Sequence, residues 1–207
     1  MIDAIMIGGG GHAKSIADSI NAEGKYHIKG IVDPVNPKWE NCEWLGGDDV
    51  LDKLYAEGIT TAFIGIGYMG KGDIRQKLYN KLKKIGYELP AVVDPTAVIG
   101  SGVSVEEAAF IGKAAVLNVG TQIGKAAIVN TGAIIDHESI IGEFSHIAVG
   151  AKICGDVRIG NAVLVGAGAT VINGVSIADK AVIGAGAVVI ENIETEATFV
   201  GVPAKAI

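Results

Sequence analysis

Only two cysteines, Cys42 and Cys154, occur among the 207 residues. They are too few and too far apart for a disulfide framework or for metal-ligand spacing, so each is expected to be structural. Aromatic residues make up 5% of the chain, which leaves little to fill the interior of an ordinary globule. No apolar run reaches the roughly 18 residues that a membrane span requires. The start, MIDAIMIGGGG, has neither a basic n-region nor a cleavage site. The expectation is a cytoplasmic protein with no membrane association. Lys and Arg number 17 against 23 Asp and Glu, a net charge of −6. No basic cluster is dense enough to neutralise a row of phosphates, which argues against a nucleic-acid partner.

What the chain does have is 30 glycines and a strict repeat. Cut into sixes from Val98 to Ile193, it reads VIGSGV, SVEEAA, FIGKAA, VLNVGT, QIGKAA, IVNTGA, IIDHES, IIGEFS, HIAVGA and onward without a slip. Every second place is Ile, Val or Leu, and the sixth is nearly always small, which is expected to let the corner turn tightly there. Period six is neither the 3.6 of a helix nor the 2 of a strand, so each hexad must be a short strand plus a corner. Three hexads close a triangular coil of 18 residues. Stacked coils then bury an aliphatic ladder that no single coil could bury alone.

Sorting by face gives one polar set at the fourth places, Glu107, Lys125, Glu143, Asn161 and Asp179. A second face puts Phe110, Ile128, His146, Leu164 and Val182 at its outward first places, too apolar for water and suited to a partner surface. The N-terminal part reads as strand, helix, strand. Strands are expected over 2–7, 28–32, 62–66 and 91–93, and helices over 12–23, 48–57 and 73–85. This is an α/β, half-Rossmann-like domain of residues 1–89, joined through Pro90 and Asp94-Pro95 to the repeat domain of residues 94–207. The glycine turn before the first helix offers free backbone N–H groups to a phosphate. Asp33 ends the second strand where a ribose or base could be met. One mononucleotide half is too little for a nicotinamide dehydrogenase.

Of four histidines, His27 reads as ordinary surface. His137 lies in IIDHES beside Asp136 and Glu138, with Asn130 nearby, and Gly155 stacks on it 18 residues later, leaving room for the ring. A histidine next to carboxylates suits a general base. Zinc catalysis of the three-histidine kind is disfavoured, because the repeat holds only His137 and His146. No G-x-S-x-G elbow is present, which favours direct transfer over an acyl-enzyme.

IGGGGHAK at the start, NTGAIIDHESIIGEFSHIAVGAKICGDVRIG in the middle and FVGVPAK at the end resemble the NeuD/PglD family of sugar acetyltransferases across nearly the whole chain. The resemblance implies a left-handed parallel β-helix, a homotrimer of three prisms, and acetyl-CoA as donor with no metal. It further implies His137 as general base with Glu138 raising its basicity, and His146 near the thioester of acetyl-CoA. Ala167 and Ala185 would line the pantetheine and adenine path, and Gly10, Gly11, His12, Asp33 and Gly67 would bound the acceptor pocket. The implied acceptor is a UDP-linked 4-amino-4,6-dideoxy sugar. Two features depart from the bacillosamine-pathway members: Asp33 is followed by Pro34 instead of a second Asp, and the loop GYMGKGDIR is longer than their GNN-x-x-R. Both touch the acceptor side, so O-acetylation of a sialic acid is an alternative, as is a non-catalytic nucleotide-binding module.

Overall fold

The computed structural model describes all 207 residues. Strand β1 (Ile2–Ile7) is buried over its last four residues and sits inside a four-stranded sheet. With β2 (Tyr26–Val32), β3 (Glu43–Gly46) and β4 (Thr61–Ile64) the order is β3-β2-β1-β4, all parallel. β3-β2-β1 is the strand order of one mononucleotide-binding half, and β4 adds the strand on the other side of β1, across the switch point. Helix α1 (Gly11–Glu23) buries Ala13, Ile16, Ala17 and Ile20, one stripe at helical spacing, and ends where Gly24 takes a left-handed φ of 74°. Helices α2 (Leu51–Ala56) and α3 (Ile74–Ile85) complete the unit.

The expected elements of the α/β unit are present with small shifts at their ends, and one of its strands was not anticipated. β3 is the half-exposed edge of the sheet, so EWLG carries no apolar alternation and owes its conformation to pairing with β2. The stretch expected as one helix over 48–57 starts as a single 3-10 turn, Asp48–Val50, before α2.

From Val98 onward the chain forms a left-handed parallel β-helix. Two-residue strands occupy the first and second places of each hexad and pair in parallel with residues 18 further on, as in the row Phe110, Ile128, His146, Leu164, Val182. Second-place aliphatics and small sixth-place residues fill a continuous core of 27 buried residues. Truncating one such Ile to Ala typically costs about 2–5 kcal/mol. The corner itself is made at the fifth place, not the sixth. Every sixth residue from Gly102 to Gly186 has positive φ: Gly102, Gly120, Gly132, Gly150, Gly168, Gly174 and Gly186, but also Ala108, Ala114, Ala126, Glu138, Phe144, Asp156, Ala162 and Lys180. The small sixth residue instead points into the corner of the core, as the fully buried Ala115, Ala127, Ala133 and Ala151 show.

The apolar row is covered by the chain's own α/β unit, which corrects its assignment as a surface for a neighbouring prism. Phe110 and Ile128 join one cluster with Ala4, Met6, Ala13, Ile16 and Phe63. A Cβ on Gly70 would collide with Val182, so the loop after β4 lies directly on the upper part of the row. A second junction is the buried Asp94, which accepts hydrogen bonds from Ser19 Oγ of α1 (2.6 Å), Thr96 N and Oγ1 (2.9 and 2.6 Å) and Lys113 Nζ (3.2 Å). No helix is long and apolar enough to cross a membrane.

Candidate active site

The glycine turn after β1 is shaped by close approach. Gly8 has φ 92° and lies against Ile66, and Pro37 occupies the space where a Cβ on Gly9 would go. Gly10 and Gly11, by contrast, face open space at the start of α1, whose N-cap makes no side-chain hydrogen bond. Asp33 holds this turn: its Oδ2 accepts from Gly9 N and its Oδ1 from Val35 N, both at 2.9 Å. Trp39, which the sequence did not single out, donates from Nε1 to Gly9 O at 2.8 Å.

His12 enters the same region from the first turn of α1. Its ring meets Phe110 edge-on at 5.5 Å and lies beside Gly67, while its buried Nε2 has no hydrogen-bond partner. Burial, then the charge of Arg75 and the proximity of His146, lower its pKa to about 3, so the ring is neutral near pH 7.

His146 is buried in the apolar row, 6% exposed, with both nitrogens engaged. Nδ1 lies 2.6 Å from the Tyr68 carbonyl and must donate to it, which leaves Nε2 to accept from Asn130 Nδ2 at 3.2 Å. Burial lowers its pKa; the hydrogen bond to Tyr68 opposes this, and the nearby Arg75 charge adds to it. Arg75 closes the GYMGKGDIR loop but was given no role by sequence reasoning, because its partners are backbone carbonyls and leave no trace in side-chain spacing. The loop after β4 also walls a cleft of about 560 Å³ with Tyr68, Lys71, Gln76, Ala162 and Lys180 among its lining.

His137 is at a different corner of the prism. Its exposed ring lies over Gly155, where an added Cβ would meet the imidazole, and its backbone N donates to Asp136 Oδ1 at 2.8 Å. Asp136 also accepts from Asn118 Nδ2 at 2.6 Å. Glu138 occupies the left-handed corner with φ 57°, and within the chain no carboxylate is hydrogen-bonded to the His137 ring. Ala167 and Ala185 are exposed on the corner that follows the His146 face, stacked above Thr131 and Val149. One chain thus gathers His12, Gly67 and His146, while His137 belongs to the corner beyond the next sheet. No group of three or more His, Cys, Asp or Glu side chains is arranged to hold a metal ion.

The architecture can be set beside known proteins. Residues 3–82 match the family model described as the PglD N-terminal domain, and residues 98–137 and 156–191 match the hexapeptide repeat of succinyl-transferase. PerB from Caulobacter crescentus, solved in complex with CoA and GDP-perosamine, is 34% identical, with 99% of this chain and 97% of that one covered and a TM-score of 0.93. The chain belongs to the PglD-like family of sugar acetyltransferases. The acetyltransferase domain of PglB from Neisseria gonorrhoeae is 26% identical over 100% of both chains, with a TM-score of 0.90, and has also been solved with acetyl coenzyme A. WeeI from Acinetobacter baumannii, at 23% identity and a TM-score of 0.84 over 100% of both chains, shares the fold. No curated protein sequence matches the chain. In this chain the PglD-type unit precedes the hexapeptide repeats, and PerB is matched across both.

Proposed function

We propose that this protein transfers the acetyl group of acetyl-CoA to the free amine of a nucleotide-linked 4-amino-4,6-dideoxy sugar, with His137 as general base. The observation that carries the proposal is the 34% identity, over nearly the full length of both chains, to a protein bound to CoA and a GDP-linked sugar. The family resemblance implies a UDP-linked acceptor, whereas that relative is bound to a GDP-linked sugar, so the two nucleotides are the arms of the test. Two further solved forms of the Caulobacter enzyme carry asparagine or alanine in place of one histidine.

In the proposed reaction the amine nitrogen attacks the thioester carbonyl carbon. A C–N bond forms, the C–S bond breaks, His137 takes the amine proton, and CoA leaves as the thiolate. Glu138 would stabilise the imidazolium that results. His146 would act on the donor side, and the exposed small residues Ala167 and Ala185 leave room for pantetheine along their corner. Gly10 and Gly11 would offer N–H groups to the diphosphate, with His12, Asp33 and Gly67 closing the pocket. The unpartnered Nε2 of His12 supports this, since a buried nitrogen without a partner is costly until a ligand supplies one.

His137 and the Ala167–Ala185 corner are separated by a sheet within one prism, so a complete site would need a second copy. We therefore assign the protein as a homotrimer whose sites lie between subunits. Exposed Ile134, on that sheet, and Val149, at the corner beside it, at 41% and 50%, would meet the neighbour. The division into an acceptor-binding unit of residues 1–89 and a transferase unit of residues 94–207 belongs to the same proposal. The experiment is an acceptor screen by release of CoA thiol, with UDP- and GDP-linked amino sugars and with sialic acid. Turnover with an amino sugar, lost in His137→Ala, is the expected result. Turnover on sialic acid alone, or a fully active His137→Ala, would overturn it.

A further inference from the structure

Tyr68 and Arg75 touch neither substrate in the reading above, yet they account for how His146 is held. The Arg75 guanidinium is 3% exposed and forms no ion pair. It donates to Ile64 O (2.9 Å) and Ile66 O (2.7 Å) at the end of β4, and to Ala126 O (2.9 Å) and Ala108 O (3.1 Å) at two stacked corners of the β-helix. A buried cation with no counter-charge is tolerated only where carbonyl dipoles surround it, so the loop leaving β4 cannot slide on the coil without exposing that cost. Two residues past Ile66, the Tyr68 hydroxyl donates to Ala162 O at 2.8 Å, a further carbonyl of the same corner row. The backbone of Tyr68 is thereby fixed, and its carbonyl is the group that takes the Nδ1 proton of His146.

We propose that Tyr68 and Arg75 are positioning residues that set the tautomer of His146, Nδ1–H with a bare Nε2, and so tie the acceptor-side loop to the donor-side corner. The inference rests on the reading of His146 as a donor-side residue. In this tautomer His146 cannot donate a hydrogen bond to a thioester oxygen. Its Nε2 instead orients the Asn130 amide, whose Oδ1 is already taken by Thr131 N at 2.8 Å. The second N–H of Asn130 is then directed by a ring that is itself directed by the loop next to Gly67. A shift at Gly67 on acceptor binding reaches His146 through one residue, and the linkage must act equally in both directions.

The test uses the full chain with ¹⁵N-labelled histidine. Wild-type His146, assigned by loss of its signals in His146→Gln, should show a protonated Nδ1 and an unprotonated Nε2 at pH 7. Tyr68→Phe, which removes one hydroxyl, and Arg75→Lys, which cannot satisfy all four carbonyls, should mix the tautomers and weaken acetyl-CoA binding about three- to tenfold by calorimetry. Tyr68→Phe carries the test if Arg75→Lys does not fold. A wild-type ring protonated at Nε2, or variants that keep the wild-type ring signals, would overturn the inference. His146→Gln with unchanged acetyl-CoA affinity would instead overturn the donor-side reading of His146, independently of what sets its tautomer.

Discussion

Gly155→Ala places a methyl group where the imidazole of His137 now lies, colliding with Nε2 and Cε1. The coil cannot yield, because Asp156 N is bonded to His137 O at 2.9 Å and Gly174 N to Gly155 O at 3.0 Å. Gly155 has no left-handed φ, so alanine fits the backbone without strain. The exposed ring is therefore the part that moves. The stability change should stay within about 0.5 kcal/mol, as for a surface substitution. A displaced general base forfeits most of its contribution, about 10²- to 10⁴-fold in rate, or roughly 3 to 5.5 kcal/mol of barrier. The assay is CoA thiol release under single-turnover conditions beside a thermal melt, with His137→Ala and the double variant as references. The double variant should be no slower than His137→Ala alone, since both changes act through one ring. Gly155→Ala with an unchanged melt and wild-type turnover would show that the ring over Gly155 is not the reacting group.

Other outcomes follow from the same geometry. Glu138→Gly places glycine at a left-handed corner, so stability should be unchanged or up to about 1 kcal/mol higher by urea unfolding while turnover falls; unchanged turnover would remove Glu138 from the reaction. His12 is neutral when folded and protonates at 6.5 when unfolded, so stability is lost as pH falls below 6.5 toward 3, by about 2 kcal/mol at pH 5. His12→Gln should flatten that slope in urea midpoints measured from pH 7 to 4. Asp94 behaves differently. Burial works against its charge, but the donors Ser19, Thr96 and Lys113 outweigh this and hold its carboxyl well below 3.8. Its stabilisation is present above that value and is lost as pH falls further, and Asp94→Asn should remove this acid-limb loss while lowering the urea midpoint at pH 7. Sedimentation should give three times the 21.2 kDa chain mass, and Ile134→Glu should lower both the mass and the turnover.

The β-helix was legible because each hexad repeats one physical instruction, an inward aliphatic at the second place, sixteen times over. The corner was misread because a left-handed residue leaves no clear mark in sequence when alanine, glutamate or lysine can adopt it beside glycine. The apolar row was misread as a partner surface, because its composition says that something must cover it but not what, and the first 90 residues of the same chain do so. Among the candidate residues, Asp33 shows the limit most clearly. Its position at the end of β2 was legible, whereas its two bonds to Gly9 and Val35 depend on how the following loop folds back. Arg75 closes the GYMGKGDIR loop and so stands in a quoted motif, but it and Tyr68 bind carbonyls, which every residue has, so what they hold could not be read from side-chain spacing.

The covered row also limits how such a protein can be re-engineered. Because Phe110, Ile128, His146, Leu164 and Val182 are shaped to this chain's own α/β unit, that unit is not an interchangeable cartridge. Grafting it onto another prism to change the sugar would leave mismatched surfaces and an unseated Arg75. A working chimaera has to carry the row and the corner carbonyls across with it.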